Sequence, residues 1–142
     1  MDRQKQSKQV IVVNKELEMS PAKVAAQVAH GSIAFLTHKL RNAERRLIDL
    51  DLSRFTVDLE NEVFDYWINA QFIKVILKAN TNEHMLEIIE KAKSLGMKEN
   101  EDYFVIRDAG YTEVEPGSLT VIGFRPMIGR DVNKVTGNLP LY

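Results

Sequence analysis

The sequence predicts an α/β fold, a sheet with helices on both faces, and three of its features predict this. Val10-Ile11-Val12-Val13 is a β-branched run without polar alternation, as in a strand buried on both sides. Ser20-Pro21 opens a long helical stretch soon after it. The remaining segments follow the order β-α-β-α-β-β, the pattern of layered α/β proteins.

The first strand is expected over Gln9 to Val13, behind a polar tail. Serine is a favoured N-cap and proline suits the first helical turn, where no N–H is needed. The first helix is therefore expected from Pro21 to about Leu40, with Gly31 inside it at a cost of about 1 kcal/mol relative to alanine. Arg41 to Asn61 is charge-rich, with Leu47, Ile48, Leu50 and Leu52 interspersed, and is read as the helix running on into a loop. A short helix is expected around Glu62 to Asn69, and FIKVILKA (Phe72 to Ala79) as the second strand. Met85, Leu86, Ile88, Ile89 and Ala92 give helical periodicity over Asn82 to Leu95, with Gly96 as its stop. Tyr103 to Ile106 is the third strand, followed by the turn Asp108-Ala109-Gly110. Leu119 to Phe124 is the fourth, after the turn at Pro116-Gly117.

A chain of 142 residues is one domain, 1–142, able to build a core without staples. The absence of cysteine excludes disulfides, thiolate nucleophiles and zinc ribbons, and fits a cytoplasmic location. Met1 to Lys8 is polar, so no signal peptide is expected. No run approaches the roughly 20 apolar residues of a membrane span. The net charge of -1 offers no bulk basic excess, so any RNA contact must come from a local patch. His30, His38 and His84 lack metal-ligand spacing, and neither a metal nor a cofactor is expected.

On a helix through Pro21–Leu40, Lys23, Gln27 and His30 fall on one side, with Thr37 and His38 near them. Val24, Val28, Ala29, Ile33, Phe35, Leu36 and Leu40 collect opposite, as the stripe expected to lie on the sheet. Taken alone, the polar side reads as a solvated face.

Four segments give it more weight. MSPAKVAAQVAHGSIAF (Met19 to Phe35) resembles the first-helix signature of the type II, archaeal and eukaryotic, peptidyl-tRNA hydrolases, with its K-V-A-A-Q-x-x-H core. Trp67 followed by KVILK (Lys74 to Lys78) is similar to that family's second-strand region. DAGYTEVEPGSLTVIGF (Asp108 to Phe124) resembles its D-A-G loop and strand, and DVNKVTGNLPLY (Asp131 to Tyr142) its closing segment. The four occur in the family's order. The resemblance implies a three-layer α/β/α sandwich around a mixed four-stranded sheet, often homodimeric, that hydrolyses the ester joining a peptide to the terminal ribose of tRNA. Its implied partner is the acceptor end of peptidyl-tRNA.

That reaction needs an activated water, stabilisation of a tetrahedral oxyanion and a grip on the tRNA end. Lys23, Asp108, Thr112, Gln27 and His30 are the candidate catalytic residues, and Thr120, Lys74 and Tyr111 the candidate substrate contacts. Lys23 stands near a helix start, where its charge is disfavoured by the dipole, which hints at function. Asp108 follows a strand end, where α/β ligand sites collect, although an Asp before Ala-Gly also simply forms a turn. His30 titrates near neutrality and suits a general base, while a helical histidine is more often packed. With no cysteine and no G-x-S-x-G elbow, a directly attacking water is expected.

The sequence departs from the family where Tyr111 replaces an arginine and Glu113 a glutamine, an exchange expected to weaken phosphate contact. A charged insertion near 43–62 is read as a surface feature. Two other functions suit the same fold: a non-catalytic RNA- or protein-binding module, and an esterase or amidase for a small substrate.

Overall fold

The computed structural model describes residues 6–43, 45–47, 53–55, 62–110 and 113–142. β1 (Ser7–Asn14) lies inside a sheet of order β4-β1-β6-β5. β4 (Lys74–Ala79) runs parallel to it, with Gln9 opposite Lys74 and Asn14 opposite Ala79. β6 (Leu119–Phe124) runs antiparallel to β1, and β5 (Tyr103–Arg107) antiparallel to β6. A two-residue strand, β7 (Met127–Ile128), pairs with Ser7 and Lys8 of β1. The expected mixed sheet of four strands is therefore present, with β7 as a short addition.

The position of β1 explains its composition. Val10 and Val12 pack with Met85, Ile88, Val132 and Val135, in the layer formed by α3 (Asn82–Ser94) and α4 (Gly129–Thr136). Ile11 and Val13 pack with Val24, Phe35 and Trp67, in the layer of α1 (Pro21–Arg41) and α2 (Glu62–Asn69). These four β1 residues are at most 1% exposed, and each such burial contributes about 1.5–3 kcal/mol. The result is three layers, α/β/α.

Three sequence expectations are corrected. Arg41 to Asn61 is not a helix running into a loop: α1 ends at Arg41, and β2 (Arg45–Leu47) pairs antiparallel with β3 (Ser53–Phe55). The pairing is between segments too short to show alternation. The rest of the charged insertion lies outside the described residues. The second strand starts at Lys74, because Phe72 adopts a left-handed φ of 56° and its N–H donates to the Trp67 carbonyl at the end of α2. α4 went unread, its eight residues being too few for a periodic signal.

The third correction concerns the buried face of α1. Val24 and Phe35 are buried and Val28 and Leu36 pack against the same core, as expected, but Gln27, Gly31 and Ala34 are buried with them, while Ile33 is half exposed and Ala29 exposed. Gly31 decides this. A Cβ at Gly31 would sit 2.6 Å from Val121 Cγ1, and one at Gly123 would sit 2.1 Å from the Gly31 carbonyl oxygen. Two glycines facing each other draw helix and sheet together, and the side of α1 that carries them is the side that packs. Gln9 ties the same layers further: its amide nitrogen donates to the Ser32 and Phe124 carbonyls, and its oxygen accepts from the Ser32 hydroxyl.

Candidate functional site

The β5–β6 ladder slips beside the site. Ile106 pairs with Val121 and Arg107 with Leu119, which leaves Thr120 without an opposite residue. This bulge turns side chains over: Leu119 belongs to the α3–α4 core and Val121 to the α1–α2 core, although they are two residues apart. Thr120 thereby faces α1, fully buried, its hydroxyl 2.6 Å from Gln27 Oε1 and 3.2 Å from the Ile106 carbonyl.

One helical turn before Gln27, Lys23 Nζ donates to Asp108 Oδ1 at 2.8 Å. The two side chains retain only 10% and 8% of their exposure, so this pair is largely shielded from water. Asp108 follows the end of β5, and its loop is closed by its own backbone: Asp108 N–H donates to the Ser118 carbonyl and Gly117 N–H to the Asp108 carbonyl. The second carboxylate oxygen accepts from the Gly110 N–H at 2.9 Å. Gly110 has a φ of 81°, and a Cβ there would strike Pro116 at 2.5 Å, so the turn requires glycine. The hydrogen bond from Lys23 holds the Asp108 carboxyl below its ordinary range, helped by the Gly110 N–H and opposed by burial.

A second carboxylate shares this helix end. Ser20 is the N-cap of α1 and its hydroxyl oxygen accepts from the Lys23 N–H at 3.3 Å. The Ser20 backbone N–H donates to Glu113 at 2.8 Å, and the Ser20 hydroxyl donates to the other Glu113 oxygen. These hydrogen bonds, with the Lys23 charge beyond them, lower the Glu113 carboxyl pKa. The cation that the helix dipole disfavours at Lys23 is thus met by two anions, which the dipole favours there.

The structure brings Lys23, Gln27, Asp108 and Thr120 together where the C-terminal ends of β1 and β5 meet the start of α1. His30 is exposed and lies about 10 Å further along the helix axis than Lys23. It lines a cleft of about 440 Å³ between α1 and β5, with His38, Arg41 and Arg107. Lys74 is at the other end of the sheet, opposite Gln9, where its ammonium donates to the Phe72 carbonyl and lies over the Phe72 and Trp67 rings. Tyr111 and Thr112 lie outside the described residues. Among the described residues no group of three or more His, Asp or Glu could hold a metal ion. Sequence reasoning missed the role of Glu113, which meets a serine 93 residues away and carries no local signal.

A shielded ammonium held by a carboxylate, beside a buried amide and hydroxyl, can stabilise an oxyanion and orient a polar substrate. Comparisons with known proteins give one consistent match. The family model described as Peptidyl-tRNA hydrolase PTH2 matches residues 7–142. A peptidyl-tRNA hydrolase of Methanopyrus kandleri is 38% identical over 135 residues, 94% of this chain and 97% of that one. One of Nanoarchaeum equitans is 36% identical, over 95% and 98% of the two chains. One of Thermococcus sibiricus is 35% identical, over 94% and 96%.

Proposed function

The chain belongs to the peptidyl-tRNA hydrolase PTH2 family, and from that premise we propose that Lys23, paired with Asp108, is the centre of its hydrolytic site. The activity is hydrolysis of the ester that joins a peptide to tRNA. The observation that carries the site is the 2.8 Å ion pair, shielded from water at the mouth of α1.

In this reading a water's lone pair forms a bond to the ester carbonyl carbon while the C=O π pair passes to the carbonyl oxygen. Of the water's two protons, one reaches the leaving ribose oxygen and the other is released to solvent. The Lys23 ammonium faces the resulting oxyanion, the task for which a fixed, partly desolvated cation is effective. Asp108 keeps the ammonium in place. When the intermediate collapses, the ribose oxygen leaves and takes up a proton, giving a peptide carboxylate and free tRNA. Thr120 occupies the Gln27 oxygen, so Gln27 can present its amide N–H groups towards the substrate. Thr112 as a further catalytic group and Tyr111 as a substrate contact, both close to Asp108 in sequence, are part of this proposal. His30 is assigned to the neighbouring cleft rather than to the attacking water.

Glu113 does not turn the site into a mere binding module, because its carboxylate is engaged by Ser20. Among the described residues no helix is long and apolar enough to cross a membrane, and a cytoplasmic place alongside translation is part of the proposal. A homodimer is part of it too: Tyr66, Ile68 and Phe72 leave apolar surface exposed around α2, which self-association would cover. Sedimentation of the purified protein at two concentrations tests that point.

The deciding experiment is release of an N-blocked amino acid from its tRNA by the parent protein and by Lys23→Ala. Release by the parent and none by a folded variant supports the site. Equal release by both removes Lys23 from the mechanism.

A further inference from the structure

We propose that the cleft between α1 and β5 carries the phosphate backbone of the tRNA away from the ester, with Arg41 its far contact. This rests on the hydrolytic reading above and adds the track along which the RNA lies.

The helix itself lays out the track. Arg41 follows Lys23 by 18 residues, which is five full turns at about 3.6 residues per turn, so both project from the same side of α1. His30 and His38 fall within about 60° of that line. The stripe therefore begins at the ion pair with Asp108 and runs about 27 Å to the end of the helix. Across the cleft stands Arg107, the residue before Asp108, whose guanidinium is oriented by the Gly117 carbonyl at 3.1 Å. β5 is the last strand of the sheet, so among the described residues no further strand closes that side.

The charge of the lining suits a polyanion. Two arginines face a single carboxylate, Glu99, and two histidines add polar N–H groups to the lining. This is a local basic strip on a chain whose net charge is -1, the only form in which such a chain can favour RNA. The groove on the other flank of α1 is lined by Met19, Val24, Val28, Ile76, Leu141 and Tyr142, an apolar surface unsuited to phosphates. The polar cleft is the flank on which a phosphate chain can lie.

The test compares two substrates across a salt series: N-acetyl-aminoacyl-tRNA, and the same acyl group esterified to adenosine alone. The variants are Arg41→Gln and Arg41→Glu, with Lys134→Gln on α4, in the opposite layer, as control. Each phosphate contact contributes about 0.7–0.9 to the slope of log affinity against log salt. Arg41→Gln is expected to lower kcat/KM on the tRNA by about five- to tenfold at low salt and to flatten the slope by about 0.7–0.9. Arg41→Glu is expected to lower it further, while both retain the parent's rate on the adenosine ester and the control keeps the parent's slope. A parent slope in Arg41→Glu overturns the track and leaves the hydrolase intact. Equal losses on both substrates overturn it as well, since RNA is then not what Arg41 meets. A parent that cleaves neither substrate overturns the hydrolytic reading instead.

Discussion

Glu113 closes its loop onto the first helix by accepting from both the backbone N–H and the hydroxyl of Ser20, the residue that caps α1. The same serine oxygen accepts from the Lys23 N–H, so loop, cap and catalytic candidate form one chain of contacts. Glu113→Ala is expected to loosen the loop that carries Asp108 and to lower kcat about tenfold, with less effect on KM. Glu113→Gln retains an acceptor for the Ser20 N–H and a donor for its hydroxyl, and is expected to keep most of the activity. Steady-state kinetics of the two variants checks this; equal losses in both would remove the hydrogen-bonding role.

Acid should undo the same contacts. Asp108 and Glu113 have carboxyl pKa values held below the ordinary 3.8 and 4.5. Groups depressed in this way contribute stability that is complete above the ordinary values and lost as the pH falls through the lowered ones. The melting temperature of the parent is therefore expected to fall steeply below about pH 4, and that of Glu113→Gln to fall less steeply over the same window. Calorimetry between pH 3 and pH 6 is the measurement.

Lys23 and Asp108 should fail together. Lys23→Ala and Asp108→Asn are each expected to reduce turnover by about 100- to 1,000-fold, the range seen when one oxyanion-stabilising group is lost. The double variant should be little worse than either, because the two act as a unit. Losses that multiply would mean that the residues work separately.

Thr120→Val keeps the shape of the side chain and removes the hydroxyl that meets Gln27 Oε1. With a buried acceptor left unsatisfied, the protein is expected to lose about 1–3 kcal/mol of stability. Adding Gln27→Leu should recover part of it, since the unsatisfied group is then gone. Urea denaturation of the single and double variants checks the sign.

Gly123→Ala tests the closeness of helix and sheet. The added methyl points into the Gly31 backbone at 2.1 Å from its carbonyl oxygen, and a loss of about 1–3 kcal/mol or more is expected. Thermal unfolding decides it; an unchanged melting temperature would show that α1 can move off the sheet at little cost.

Much of the fold was legible because its signals are local. Val10 to Val13, the Ser20-Pro21 cap, the periodicity ending at Gly96 and the Pro116-Gly117 turn each state a backbone preference within a few residues. Lys23 could be singled out as a cation in an unfavourable place, and Asp108 as an aspartate after a strand. The α1 stripe holds at Val24, Val28, Phe35 and Leu36 but fails at its edge, for the opposite reason. Apolar counting favoured Ile33 and Ala29, whereas the packed side is the one with Gly31, because its partner is another glycine about 90 residues on.

The sequence by itself determined the class of fold, the run of elements and the pool of chemical groups, for these follow from periodicity, capping and side-chain chemistry. Only the tertiary structure decided which of those groups meet. A bulge opposite Ile106 and Arg107 turned Thr120 towards Gln27, parallel pairing of β1 and β4 set Lys74 at the far end of the sheet, and a closed loop carried Asp108 and Glu113 to the start of α1. Each of these is a long-range contact, fixed by register and close packing between segments that carry no mark of one another in the chain.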